Sequence, residues 1–202
     1  MILQNEKYAT DVINKHNKLL VKGNIYNVLA NAYIHTGSLP NALDVIKMMV
    51  TNKIPTVATV NTFLKVCAKQ HAFKEGRELH DLFARENVIL DQSIHNLFFS
   101  LFAKSGDIDL VKRMFQNYTE NVFKIDMFSY TGVIALCTRK RDIEFGQQVH
   151  DSMRRSNQHP DKALYTSLIN MYASVGYITS AIEVLKDMET QKVKPSEEIY
   201  SM

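Results

Sequence analysis

The sequence of 202 residues contains no tryptophan, two cysteines, four prolines and seven glycines. Each scarcity removes a class of protein. Two cysteines cannot frame a small disulfide-stapled domain, and Cys67 and Cys137 read instead as small buried side chains in a reducing compartment. There is no CxxC, and the seven histidines show no HxxxH, HExxH or HxE spacing, so no metal site is indicated. GxxxxGK[ST] and GxGxxG are absent too, and no cofactor is called for. No nucleophile stands at a usable spacing from a base. The pattern therefore assigns neither catalysis nor a small-molecule substrate. No apolar run approaches the roughly 20 residues that a membrane span needs. Lys and Arg total 24 against 21 Asp and Glu, and the resulting +3 is too mild to identify a polyanionic partner on its own. Lacking any Ser-, Gly- or Pro-rich linker, the chain shows no second domain by composition.

What the sequence has is repetition. In the stretch from Ala163 to Ser196, Leu164, Tyr165, Leu168, Ile169 and Tyr172 recur at helical spacing, Gly176 ends that run, and Ile178, Ala181, Ile182, Leu185 and Met188 form a second apolar face. Two short helices cannot bury both faces alone, so copies of the pair are expected on either side. Steps of 35 residues back from Leu168 reach Val133, Phe98 and Phe63, and a step of 34 reaches Leu29. The same steps from Met188 reach Met153, Tyr118, Phe83 and Met49. Ala181 maps onto Gly146, Val111, Gly76 and Ala42, and Tyr172 maps onto Cys137, Phe102, Cys67 and Tyr33. Cys67 and Cys137 thus occupy equivalent sites two copies apart, too distant for a disulfide.

The predicted fold is all-α: an α-α superhelix, or solenoid, of antiparallel helix pairs. Residues 1–22 read as the second helix of a preceding, incomplete copy, so the chain is expected to start inside a longer array. No transit peptide or secretory signal is legible there. Five full copies follow at 23–56, 57–91, 92–126, 127–161 and 162–196, and 197–202 opens another. Ser38 and Asp107 are the expected N-caps of two second helices. A double period is also present. Gly37, Gly106 and Gly176 mark the helix–helix turn of alternate copies, whereas Gly76 pairs with Gly146 and His80 with His150, each 70 residues apart. The helical glycines point to close helix packing, and the two histidines to helix–helix contacts.

Three polar columns keep the same phase. Asn27, Asn61, Asn96, Thr131 and Thr166 stand early in each first helix; Thr56, Asp91, Asp126, Asp161 and Ser196 close each copy. His35, Lys69, Lys104, Arg139 and Ser174 follow the first column by eight residues, which places them roughly 80° round the helix, so both can border one groove. Asn and Thr offer short donors and acceptors for a base edge, and Lys69, Lys104 and Arg139 would meet a phosphate backbone at one charge per copy. Single-stranded RNA is read by one repeat per base in this manner. The competing roles are structural: Asn, Thr and Asp are preferred N-caps, and a basic column can be a solvated face.

The 35-residue helical pair, the openings IYN at Ile25 to Asn27 and LYT at Leu164 to Thr166, and the endings KVKPS and NQHPD resemble pentatricopeptide repeats. GRELH and GQQVH resemble the longer-type repeats of the mixed P/L/S subclass. The tetratricopeptide repeat is the nearest rival, but its signature Trp is absent. The resemblance implies a right-handed superhelix that binds single-stranded RNA in mitochondria or chloroplasts, alongside other organelle RNA-processing proteins. Its tasks would be editing, processing, stability or translation of a transcript. The alternative is a protein-binding helical-repeat scaffold. The resemblance makes the first two columns base readers. Asn61 with Asp91 and Asn96 with Asp126 imply uracil, and Thr131 with Asp161 implies guanine. Asn27 with Thr56 implies a pyrimidine and Thr166 with Ser196 a purine, giving Y-U-U-G-R. The family places Val or Ile three residues before each reader to sandwich the base. Here those positions are Asn24, Ala58, Ser93, Phe128 and Ala163, so weaker stacking is expected.

Overall fold

The computed structural model describes residues 19–54, 57–120, 124–156 and 158–195. All regular structure among them is helical, in ten elements: α1 (Leu19–Thr36), α2 (Leu39–Thr51), α3 (Val57–Gln70), α4 (Phe73–Arg85), α5 (Gln92–Ser105), α6 (Ile108–Glu120), α7 (Met127–Lys140), α8 (Ile143–Arg155), α9 (Lys162–Ser174) and α10 (Ile178–Thr190). The readings made for residues 1–18 and 197–202 lie outside the described residues, as do Thr56 and Ser196. α1 is already helical at Leu19 and runs unbroken through Gly23.

The helices fall into two compact units, Met1–Ile94 and His95–Met202, and α5 begins in the first and continues in the second. In the first unit α1 packs on α2 and α3, α2 on α3 and α4, and α3 on α4. In the second, α6 packs on α7, α7 on α8 and α9, α8 on α9, and α9 on α10. Within each unit a helix such as α3 or α9 meets both its hairpin partner and a member of a neighbouring pair, as stacked helix pairs require.

The apolar columns are the core. Phe63, Phe98, Val133 and Leu168 are fully buried, as are Met49 and Met188, and Leu29 alone in its column is half-buried. Burying one such side chain stabilises by about 1.5–3 kcal/mol. Gly146 shows what the small column is for. A Cβ built there would lie 2.2 Å from Met171 Sδ and 3.5 Å from Cys137 Cβ, so a side chain on α8 at this point would have to push the buried Met171 of α9 aside.

A left-handed residue stands at the turn within each of the five helix pairs, and at four of these turns the same backbone hydrogen bond closes it. Gly37, Gly106 and Gly176 have φ of +78°, +85° and +81°. The two copies without glycine keep this left-handed position with His71 (φ 58°) and Arg141 (φ 55°). The turn is held by a backbone hydrogen bond six residues long, from Ser38 N to Tyr33 O, Ala72 N to Cys67 O, Asp142 N to Cys137 O and Tyr177 N to Tyr172 O. Its closure offsets part of the roughly 1–2 kcal/mol that a side chain costs in this conformation. Asp107 caps α6 as expected, through Leu110 N at 3.0 Å. Ser38 does not cap α2: its hydroxyl accepts from Asn41 Nδ2 at 2.9 Å instead.

Candidate functional site

The residues that close each copy stand just ahead of the next first helix, where its unpaired N–H groups need acceptors. Asp91, Asp126 and Asp161 fill that need. Their Oδ1 atoms accept from Ile94 N at 2.9 Å, Ser129 N at 2.8 Å and Leu164 N at 2.8 Å. All three are N-caps, and all three are exposed. Capping occupies Oδ1; Oδ2 of each takes no hydrogen bond among the described residues.

The early-helix column is half-buried except for Asn96, which is 7% exposed. Asn27 Oδ1 accepts from Thr59 Oγ1 at 2.7 Å. Asn61 Nδ2 donates to Ser93 Oγ at 3.3 Å, and Ser93 Oγ donates to Asp91 Oδ1 at 2.9 Å. One hydroxyl thus joins the two predicted readers of the second copy. Asn96 Nδ2 makes a long bond of 3.4 Å to Lys124 O, two residues before Asp126. Its Oδ1 is buried with no hydrogen-bond partner among the described residues. A buried acceptor left in that state costs about 1–3 kcal/mol. Below Asn96, the Ser100 and Ser129 hydroxyls lie 3.0 Å apart, and Ser129 Oγ donates to Asn96 O at 3.2 Å. The hydroxyls of Thr131 and Thr166 donate to Met127 O and Lys162 O, both at 2.8 Å, so each oxygen faces outward only as an acceptor.

The basic column is exposed throughout, but its members differ. Lys69 has no ion-pair partner among the described residues. Lys104 Nζ sits 5.5 Å from the centre of the Phe128 ring. Arg139 Nη2 donates to Ala103 O at 2.8 Å, so this guanidinium also satisfies a carbonyl at the end of α5. Ser174, which ends the column, bonds back to Met171 O at 2.9 Å.

Phe128 is 63% exposed, in the first turn of α7 three residues from Thr131. Its position in the sandwich column suggested weakened stacking. The structure puts an open aromatic face there, with a cation over it. The signal was available in the sequence: it is the only aromatic in a column otherwise made of Asn, Ala and Ser.

Burial keeps the two thiols and His150 in the core uncharged near neutral pH. Burial pushes the Cys67 and Cys137 thiols up to about 12, with Glu75 and Asp142 adding to it, so neither is a nucleophile. His150 Nδ1 shares a 2.9 Å hydrogen bond with the Tyr172 hydroxyl, and burial, then Arg154, holds its imidazole down at about 4. It is the helix–helix contact expected of it. Among the described residues no His, Cys, Asp and Glu gather as a metal site, and no helix is long and apolar enough to cross a membrane.

Stacked helix pairs of 34 to 35 residues, with polar columns in register, define a helical-repeat protein. Comparison with known proteins narrows the class. The pentacotripeptide-repeat region of PRORP matches residues 50–202, and the pentatricopeptide repeat domain matches residues 14–70. The chain belongs to the pentatricopeptide repeat family. A chloroplastic pentatricopeptide repeat-containing protein of Arabidopsis thaliana is 25% identical over 178 residues, covering 87% of this chain and 32% of the relative. A second Arabidopsis thaliana member is 24% identical over 160 residues, 79% of this chain and 23% of the relative. This chain therefore spans a third or less of these two relatives. The fold is shared with the pentatricopeptide repeat protein PPR10 solved with an 18-nucleotide psaJ RNA element (TM-score 0.71, 14% identity, 96% of this chain and 30% of that one). It is shared equally with the repeat domain of Arabidopsis thaliana protein-only RNase P 1 solved with tRNA (TM-score 0.71, 15% identity, 86% of this chain and 92% of that one).

Proposed function

We propose that this chain is a sequence-specific single-stranded RNA-binding segment of an organelle pentatricopeptide repeat protein. It reads one base per repeat and has no catalysis of its own. Its host protein acts in editing, processing, stability or translation of a mitochondrial or chloroplast transcript. The division into five repeats at 23–56, 57–91, 92–126, 127–161 and 162–196 is part of this reading. The names of the relatives support it: one is chloroplastic, and two structures of the same fold were solved with RNA.

The observation that carries the reading is the buried, unpartnered Oδ1 of Asn96. Uracil presents an N–H between two carbonyls on its Watson–Crick edge. That N–H is the donor this acceptor lacks: turning the Asn96 amide outward, away from its long bond to Lys124 O, would bring Oδ1 to the uracil N–H and Nδ2 to a uracil carbonyl. At the next repeat the Thr131 oxygen and Asp161 Oδ2 are both acceptors, which suits the two adjacent donors of guanine and not adenine's donor–acceptor pair. Phe128 supplies a face for a base to stack on, and Lys104 and Lys69 meet phosphates.

The test is equilibrium binding of the chain to short RNAs carrying Y-U-U-G-R against permuted sequences. The matched RNA should bind more tightly, with log K falling by about 0.7 per contacted phosphate as log salt rises. Phe128→Ala should weaken binding by about 1–3 kcal/mol. Absence of binding to any pool of short RNAs would sink the proposal and favour a protein-binding scaffold.

A further inference from the structure

The basic column does not account for all the cations at the turn between paired helices. In the second unit four basic residues gather there: Lys104 at the end of α5, and Arg139, Lys140 and Arg141 at the end of α7, all exposed. The sequence carries the last three as TRKRD, and of the four only Lys104 and Arg139 belong to the one-per-repeat ladder. Two contacts fold the end of α7 back over the end of α5. Arg139 Nη2 binds Ala103 O at 2.8 Å. Lys140 lies across the glycine turn, with Cε 3.9 Å and Nζ 4.0 Å from the Cβ position of Gly106. Arg141 is fixed beside them by its left-handed backbone, φ 55°.

Among the described residues no carboxylate pairs with this cluster. The carboxylates closest in sequence are otherwise engaged. Asp107 caps α6 through Leu110 N. Asp142 caps α8 through Phe145 N and is held by Lys112. Glu144, in the first turn of α8, pairs with none of them. Like charges brought together without counter-charge repel, so the cluster does not stabilise the fold. The same turn in the first unit shows that the fold does not need it. There Gln70 lies over Gly37, its Nε2 3.5 Å from the Cβ position, and His71 takes the left-handed place of Arg141. One geometry carries two neutral-to-weakly-basic side chains in one unit and two permanent cations in the other.

We propose that Lys140 and Arg141, with Lys104 and Arg139, form a phosphate-binding edge. It grips the backbone of the RNA strand as it passes the third and fourth repeats, adding contacts beyond one per repeat. The inference rests on the RNA-binding reading. The edge holds the strand without reading it, since permanent cations on long side chains meet phosphates irrespective of base. Binding is thereby concentrated at the repeats whose readers are Asn96 with Asp126 and Thr131 with Asp161.

The test compares the salt dependence of RNA binding by the whole chain and by Lys140→Gln with Arg141→Gly. Glycine suits the left-handed position, so the charge is removed without strain. The expected result is a slope shallower by about 1.4, from two lost phosphate contacts, with equal weakening for matched and permuted RNAs. Gln70→Lys with His71→Arg should steepen the slope in the opposite sense. An unchanged slope in both variants, with wild-type binding intact, overturns the edge and leaves the RNA reading standing. Equal loss of polyglutamate binding with the same slope overturns its assignment to RNA. A wild-type chain that binds no RNA fails at the earlier step, which separates the two claims.

Discussion

The two units are built on one plan and finished differently. Both place a left-handed residue at each helix–helix turn, a buried aromatic or aliphatic column in each first helix, and a helical glycine in the longer-type copy. In the first unit α2 and α4 start at Ser38 and Ala72 without a side-chain cap, and residues 70 and 71 are Gln and His. In the second unit α6 and α8 are capped by Asp107 and Asp142, and residues 140 and 141 are Lys and Arg. The apolar periodicity sets the plan. The polar residues at helix ends set what each unit can hold, and how firmly.

The largest break in the comparison is expected from pH. The His150 imidazole is buried and bonded to Tyr172, with Arg154, Asp151 and Asp187 acting on it. An unfolded histidine takes up a proton near pH 6.5, and this one in the fold only near 4, so acid favours the unfolded chain. The contribution is complete above 6.5 and is lost as pH falls to about 4, on the order of 3 kcal/mol in all. Hydrogen exchange resolved by peptide should show the second unit loosening over that window, and His150→Phe should abolish that part of the dependence.

A smaller effect separates two helical glycines of the second unit. Gly146→Ala drives a methyl into Met171, which is itself buried, and should destabilise by about 1–2 kcal/mol in denaturant titration. At Gly132 an added Cβ would sit 3.6 Å from Ala103 Cβ, an ordinary contact. Gly132→Ala should therefore stabilise by about 0.5–1 kcal/mol through helix propensity. Equal effects at the two sites would show that close packing is not what holds Gly146. The smallest change would bring the units closer together: Ala72→Asp installs the missing cap of α4 and should stabilise by roughly 0.5–1 kcal/mol.

Much of this plan is legible in the sequence, because a core column must stay apolar at every copy. Phe63, Phe98, Val133 and Leu168 announce themselves by spacing alone, and Gly146 by a column that is small or compact throughout. The turns at His71 and Arg141 were hidden, since the backbone there is set by the closing hydrogen bond and not by the side chain. The candidate site was legible as columns, but not in its division of labour. One oxygen of each Asp caps a helix, and Arg139 is shared with Ala103 O. Such sharing depends on which atoms approach, and spacing does not encode it. Phe128 stood in the sequence as a departure from its column, and a departure is easily mistaken for a defect.

The central claim is that the Asn/Thr column reads bases and does not only support helix ends. It is tested most directly by Asn96→Thr, with base preference measured by selection from a randomised short RNA pool. The claim requires one position to move from uracil towards guanine while its neighbours keep their preferences. A pool profile identical to that of the unsubstituted chain, with binding retained, would show that Asn96 is structural and contradict it.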